Sequence, residues 1–229
     1  MASNNPPEVT IKLLKARDLK IAYKEKVEQP IDFLLLTSGD HEFLSCLSVL
    51  NPGFMRSYLP ELGYVYFGDV GGDGAPKVKI AVMMTHWTSC AICVEASCAV
   101  RILKPKGLIS VGHCASLNRT KAKLGDVVVS KWFATYADIK VTADGVFERG
   151  VRVLMTKGFS ELVDEVVEFW NAPLHSLCEL DVKVHSKGDF LSGPELVQSP
   201  ERCAQLTSRH PSAVAIEQGG EGMSFLSHT

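Results

Sequence analysis

Continuous apolar runs and helical repeats alternate along the chain from about residue 31 onward. The first run, residues 31–37 (IDFLLLT), has the unbroken apolar character of a strand buried on both faces of a sheet. Residues 41–50 then place apolar side chains three and four positions apart, which predicts a helix that ends before Pro52. This alternation predicts an α/β fold around a mixed, mostly parallel sheet.

The same patterns predict the later elements. Thr88 or Ser89 is expected to cap a helix that ends at Pro105, and Ser160 to cap a helix over 161–170. The remaining predicted elements are strands over 64–67, 78–84, 108–111, 127–130, 151–155, 180–184 and 213–216, and a helix over 194–209. Residues 1–30 are more polar and are interpreted as an N-terminal helix (9–26) or arm that precedes one domain over 31–229.

Four turns follow predicted strands and are rich in glycine and polar residues. Ligands of open α/β sheets bind at the carboxyl ends of the strands, and parallel strands end at the same edge. If these strands are parallel, the four turns can line one cleft. They are residues 39–40, 85–87, 112–114 and 217–219.

The composition argues against two classes of binding partner and indicates the state of the cysteines. The net charge is −2, from 24 basic and 26 acidic side chains, so neither a nucleic acid nor a membrane surface is expected as a partner. No apolar run approaches the roughly 18 residues of a membrane span, and no signal peptide is recognisable. Seven cysteines, an odd count, indicate reduced thiols and a cytoplasmic location. A lone CxxC, Cys90 and Cys93, falls in an apolar helical pattern, so buried helix cysteines are favoured and no metal or cofactor is expected.

Three blocks of the sequence resemble the nucleoside phosphorylase and nucleosidase family. In residues 112–130 a Gly-His-Cys-Ala turn is followed by the strand LGDVVVS, which is the most specific of the three blocks. Residues 37–42 (TSGDHE) resemble the end of the family's first strand, and residues 213–222 (AVAIEQGGEG) resemble its late Glu-Met-Glu-Gly segment. The resemblance covers about residues 31–229. It implies a three-layer α-β-α sandwich, assembly into a homo-oligomer, and cleavage of the N-glycosidic bond of a nucleoside by water or by phosphate.

The resemblance also implies roles for individual residues. Glu42 matches the glutamate that activates the attacking water, with Asp40 as the alternate; the other interpretation of Glu42 is a first-turn carboxylate that offsets the helix dipole. The residues implied to bind the nucleoside are Gly39, Asp40, Thr85, His86, Gly112, His113, Cys114, Phe190, Leu191, Glu217, Gln218 and Glu221.

Several of these roles have a structural alternative. His113 is expected either to bond a sugar hydroxyl or phosphate, or to be a turn histidine satisfied by the backbone. Thr85 and His86 either face the sugar or belong to a helix cap. Phe190 and Leu191 either form a wall against the base or belong to the core.

The sequence departs from the family in two places. Gly219 occupies the position of the family's second glutamate, which clamps the ribose hydroxyls, and Glu221 two residues later is the nearest replacement. The family's general acid follows one more strand, and the sequence stops at Thr229 before that strand and its helix. Enzymatic activity therefore requires that this acid be dispensable or replaced; otherwise we expect a truncated isoform, or an inactive module for nucleoside binding or oligomerisation.

The position of the phosphate-binding arginine separates the two reactions of the family. Phosphorylases, which act as glycosyltransferases to phosphate, commonly carry this arginine on the strand before the Gly-Ser turn, and here the matching residue is Ser110. Hydrolysis of a purine nucleoside or nucleotide is therefore favoured, with adenine as the base and ATP among the candidates. Lys121 and Lys123 are the basic side chains considered for a triphosphate, the alternative being solvated surface lysines.

Overall fold

The structure is a computed structural model that describes residues 7–19, 22–23, 30–72, 74–86, 88–175, 181–187 and 189–220. It contains two compact units. We call Ile11–Gly112 the N-terminal unit, and residues 113–229 together with 1–10, as far as they are described, the C-terminal unit.

The N-terminal unit is built on a six-stranded mixed sheet. Its strands are β1 (Ala22–Tyr23), β2 (Phe33–Thr37), β3 (Met55–Leu59), β4 (Gly63–Val70), β5 (Val78–Met84) and β6 (Gly107–Val111). Their order is β1-β3-β4-β5-β2-β6. Strand β2 lies between β5 and β6 and is parallel to both, whereas β4 is antiparallel to β3 and β5.

Two helices belong to this unit, α1 (Asp40–Ser48) and α2 (Ser89–Leu103). The apolar stripe of α1 is buried through Phe43 and Leu47, which share a core cluster with Val82 of β5. Helix α2 begins as predicted, since the Thr88 hydroxyl accepts a hydrogen bond from the Ala91 N–H at 3.4 Å. The prediction of buried cysteines is wrong for Cys90, which lies on α2 but is exposed.

The C-terminal unit contains shorter strands. They are β7 (Ala115–Ser116), β8 (Val127–Val128), β9 (Trp132–Thr135), β10 (Ile139–Thr142), β11 (Gly145–Glu148), β12 (Arg152–Leu154), β13 (Val184–His185), β14 (Asp189–Ser192) and β15 (Ala213–Glu217). Five of them form a sheet in the order β12-β9-β14-β15-β7, in which β9, β14 and β15 are mutually parallel. The others pair as β10 with β11 and β13 with β8.

Helices α3 (Lys157–Phe169) and α4 (Pro200–Arg209) correct two predicted boundaries. Helix α3 begins one turn before the predicted cap, because Thr156 occupies the N-cap and Ser160 lies inside the helix. Helix α4 begins at Pro200 and not at residue 194. Its N-cap is the Ser199 hydroxyl, and proline at the next position has no N–H to leave unpaired.

The core of this unit is closed by β14, β15 and α4. Leu191 and Leu206 are fully buried and pack with Leu117, Tyr136 and Ile216. The two units together confirm the predicted mixed α/β class. None of the helices in the described part of the chain is long and apolar enough to cross a membrane.

The segment before residue 31 is extended where it is described. It holds a 3₁₀ turn at Ala16–Asp18, and β1 runs parallel to β3. Residues 7–19 and 22–23 contain no α-helix, and the choice between a helix and an arm for residues 1–30 stays a prediction. The domain boundary at residue 30 stays a prediction.

Candidate active site

The carboxyl ends of three parallel strands meet at one edge of the N-terminal sheet. Thr37 of β2 is in register with Met84 of β5 and with Val111 of β6. The turns that follow these strands therefore begin side by side, as the sequence predicts. They carry Gly39 and Asp40, Thr85 and His86, and Gly112.

Glu42 lies in the first turn of α1, directly above the end of β2. Its carboxylate folds back over Gly39, the N-cap residue, so that a β-carbon at position 39 would clash with Oε2. Burial, and secondarily the negative charge of Glu42, raises the pKa of the Cys46 thiol to about 11, so this neighbouring thiol stays protonated at neutral pH. Asp40, the alternate carboxylate, is exposed. Glu42 is therefore the partly buried carboxylate of this turn, and it lies against the N-cap glycine.

Thr85 and His86 differ in their surroundings. Thr85 is buried, and both its N–H (2.7 Å) and its hydroxyl (3.3 Å) donate to the carbonyl oxygen of Thr37. These bonds fasten the end of β5 to the end of β2 and favour a structural role for Thr85. His86 has an exposed side chain, and Glu95 of α2 accepts hydrogen bonds from its backbone N–H (3.0 Å) and from ring Nδ1. Sequence reasoning missed Glu95, although it is the single acidic residue in α2.

Gly112 leaves open space at the end of β6. A β-carbon at this position would meet no protein atom within 4 Å, and the backbone does not have the positive φ that requires glycine. Nothing in the fold therefore demands glycine here.

The corresponding edge of the C-terminal unit is formed by the ends of β14 and β15. Ser192 is in register with Glu217, and the Gly193 N–H donates to the Glu217 carbonyl at 3.2 Å. The Glu217 carboxylate turns back on its own loop and accepts the N–H groups of Gly219 (2.5 Å) and Gly220 (2.7 Å). Gln218 reaches the carbonyl of Pro194 at 3.4 Å. Glu217 therefore shapes the loop in which glycine replaces the family's second glutamate.

Cys114 lies beside Glu217. Strand β7 is antiparallel to β15 and pairs Ala115 with Ile216, which brings the preceding residue opposite Glu217. Desolvation, and secondarily the charge of Glu217, raises the pKa of the Cys114 thiol, although the residue as a whole is exposed. His113, just before it, is also exposed.

Phe190 and Leu191 are neighbours on β14 with different surroundings. Leu191 has no exposed surface and belongs to the core, which favours the core interpretation for this residue. Phe190 is partly buried and pairs with Phe133 of β9. Just before them, Asp189 is buried and accepts both bonds from Arg152 at 2.8 Å, with a third from Ser212 at 2.7 Å. Asp189 therefore ties β14 to Arg152 of β12, two strands away, and to Ser212 just before β15.

The aspartate of the LGDVVVS block also has a structural partner that sequence reasoning missed. Asp126 accepts hydrogen bonds from the N–H groups of Lys123 and Lys183 at 3.0 Å each and from His185 Nε2 at 2.8 Å. Burial alone would raise the pKa of Asp126, but these bonds outweigh it and lower the pKa to about 2. The carboxylate fastens the turn before β8 to the start of β13.

Both lysines considered for a triphosphate have protein partners. The Lys121 ammonium donates to the carbonyl oxygen of Pro211, and the Lys123 ammonium pairs with Asp181 at 3.0 Å. These contacts favour the surface interpretation of both lysines. No cluster of three or more potential metal ligands occurs among the described side chains.

Two of the predicted site residues lie outside the described residues. They are Trp87 in the turn after β5 and Glu221 after β15.

Comparison with known proteins gives one sequence relative and many structural neighbours. No family model matches the chain. A death domain-containing ATP nucleosidase of Amphimedon queenslandica is 25% identical over 223 residues, which cover 87% of this chain and 40% of the relative. The chain thus spans about two fifths of the length of this curated relative.

The structural neighbours are nucleosidases. A 5′-methylthioadenosine/S-adenosylhomocysteine nucleosidase from Neisseria meningitidis, in complex with methylthio-immucillin-A, superposes with a TM-score of 0.66 at 18% identity, covering 86% of this chain and 79% of that one. A mutant of futalosine hydrolase from Helicobacter pylori gives a TM-score of 0.63 at 17% identity, covering 88% of this chain and 86% of that one. The resemblance to the nucleoside phosphorylase and nucleosidase family is confirmed, and the fold is that of its nucleosidases.

Proposed function

We propose that this chain, which has the fold of the nucleosidases, hydrolyses the N-glycosidic bond of a purine nucleoside or nucleotide. Adenine is the base we favour, and ATP is one candidate substrate, because the sequence relative is an ATP nucleosidase and the neighbour from Neisseria acts on 5′-methylthioadenosine. The observation that carries the proposal is the carboxylate of Glu42 over the end of β2, at the edge where β2, β5 and β6 end together.

Cleavage of this bond needs three kinds of help. The sugar gains positive character as the bond breaks, the attacking water must lose a proton, and the leaving base must gain one, here from solvent. A carboxylate in the first turn of a helix can accept that proton and also stabilise the positive sugar. Glu42 is the residue we assign to this role, with the turn at Gly112 leaving room for the ribose.

Hydrolysis is favoured over phosphorolysis because no arginine occupies β6. The residue that matches the phosphate-binding arginine is Ser110, an exposed residue with no charge. Lys121 and Lys123, which lie in the block over residues 112–130, both bond to other groups of the protein. These residues supply little positive charge to bind a phosphate dianion, whereas a water molecule is neutral and needs no cationic side chain.

The decisive experiment is adenine release from adenosine, 5′-methylthioadenosine and ATP, each with and without phosphate, followed by chromatography. We expect release without phosphate, and a loss of at least about a hundredfold in Glu42→Gln, as removal of a general base costs. Asp40→Asn removes a charge from the same helical turn and tests the alternate carboxylate: an equal or larger loss than in Glu42→Gln would assign the role to Asp40. If Glu42 only offsets the helix dipole, the two variants will have equal and nearly full activity.

A second candidate function is nucleoside binding without cleavage. It is favoured by Gly219, which cannot clamp ribose hydroxyls with a side chain, and by Glu217, whose carboxylate bonds to the loop itself. Adenosine binding by calorimetry, with no adenine released by the folded protein, would select this function.

A further inference from the structure

The turn after β5 is held by an acidic side chain from the following helix. Glu95 lies in the second turn of α2 and accepts two hydrogen bonds from one residue, the backbone N–H of His86 at 3.0 Å and its ring Nδ1. The carboxylate is largely buried, with 27% of its side chain exposed, whereas 78% of the imidazole is exposed.

The two bonds have different consequences. The backbone bond alone would fix the path of the turn. The ring bond orders an exposed imidazole, at an entropic cost that the stability of the turn does not require. An ordered and exposed imidazole at the edge where β2, β5 and β6 end together is therefore placed for a ligand.

The chemistry of the pair defines that ligand. A carboxylate only accepts hydrogen bonds, so the ring nitrogen facing it must carry the proton. In the neutral imidazole the other nitrogen, Nε2, is then an acceptor. Nε2 in this state can accept a hydroxyl proton but cannot donate to a phosphate oxygen.

We propose that Glu95 is a positioning residue that holds His86 as the Nδ1–H tautomer, so that Nε2 accepts a hydrogen bond from a ribose hydroxyl of the substrate. This inference rests on the proposed function for the identity of the ligand. It assigns the His86 position to the sugar and not to the phosphates of a nucleotide.

The first test reads the tautomer directly. Long-range ¹H–¹⁵N NMR at about pH 8, where an ordinary imidazole is neutral, should show protonated Nδ1 for His86 in the wild-type protein. Glu95→Gln offers one acceptor oxygen for two donors, and its amide can donate to Nδ1, so we expect the Nδ1–H form to be lost. Glu61→Gln, which changes a surface glutamate that pairs with Arg101 in the same unit, is the matched control and should leave the tautomer unchanged. Protonated Nε2 in the wild-type protein would overturn the proposal.

The second test removes the hydroxyl from the substrate. Wild-type kcat/KM should favour adenosine over 2′-deoxyadenosine or 3′-deoxyadenosine, and Glu95→Gln and His86→Ala should each lose about three- to tenfold of that preference, the range of one neutral hydrogen bond. The double variant should prefer adenosine over the deoxynucleosides at least as strongly as His86→Ala alone does, because the two changes remove the same interaction. Unchanged discrimination in Glu95→Gln would refute the ribose contact while leaving the proposed function intact.

A protein that releases no adenine would refute the proposed function and not this inference. The same comparison is then made on the affinities of adenosine and the two deoxynucleosides, measured by calorimetry. An equal loss of affinity for all three in Glu95→Gln would overturn the inference, and a selective loss for adenosine would support it.

Discussion

The most quantitative prediction concerns Asp126, which fastens two strands of the C-terminal unit. Its carboxylate, 3% exposed, accepts three hydrogen bonds, from His185 and from the backbone N–H groups of Lys123 and Lys183. Asp126→Asn keeps the shape but supplies one acceptor oxygen, so at least one of these three donors loses its partner. We therefore expect this variant to be less stable than the wild-type protein at neutral pH.

The magnitude follows from the pKa. Because the folded pKa of about 2 lies below the ordinary value of 3.8, the ionised carboxylate stabilises the fold at every pH above 3.8. The shift corresponds to about 2 kcal/mol at pH 7, which falls to about 1 kcal/mol at pH 3 as the carboxylate of the unfolded chain becomes protonated. Asparagine has no proton to gain, so the stability difference between the two proteins should shrink by about 1 kcal/mol over this interval.

Urea denaturation followed by circular dichroism at pH 7 and pH 3 measures this difference. Asp181→Asn is the matched control, since it removes an exposed partner of the same lysine, Lys123, and should change stability little at either pH. A gap between Asp126→Asn and the wild-type protein that is as large at pH 3 as at pH 7 would refute the assignment of stability to the ionised carboxylate.

Three further substitutions separate stability from function. Gly112→Ala should leave the melting temperature unchanged, because its β-carbon meets no protein atom within 4 Å, but should raise KM for the nucleoside if the substrate approaches this turn; a normal KM would place the ligand elsewhere. Gly150→Ala pushes a β-carbon against the backbone carbonyl oxygen of Thr135 and should cost roughly 1–3 kcal/mol in urea denaturation. Thr88→Ala removes the N-cap of α2 and should cost about 1 kcal/mol, and a loss much below this would mean that the cap contributes little.

The parallel strands of the N-terminal unit could be predicted from sequence because their burial leaves a direct signal. Strands β2, β5 and β6 are nearly continuous apolar runs. The glycine-rich and polar turns that follow them indicated that the carboxyl ends of these strands lie side by side. Strand β3 was missed because its sequence, MRSYL, is neither a continuous apolar run nor a strict alternation and follows a proline turn. The β10–β11 hairpin was missed although Asp144-Gly145 at its turn is a strong hairpin signal.

The sequence predicted which strand ends lie at the candidate site, but it did not predict which side chains form hydrogen bonds with one another there. The motif spacing was enough to place Glu42 in the first turn of α1. The bond between Glu95 and His86 depends on the direction in which α2 leaves the sheet, which no local pattern specifies. The pairing of Asp126 with His185 joins residues almost sixty positions apart, and neither residue carries a local mark of the other.

The central position of β2 has a consequence for synthesis of the chain. This strand hydrogen-bonds on one side to β5 and on the other to β6, whose first paired residue, Gly107, comes more than 70 residues after Phe33. At ~5–20 residues per second, the ribosome needs roughly 4–15 s to make that stretch. The apolar segment waits without either neighbour until β5 is made and with only one until β6 is made, exposed to other nascent chains and to chaperones. The yield of folded protein should therefore depend on translation speed between β2 and β6, even if the finished fold does not.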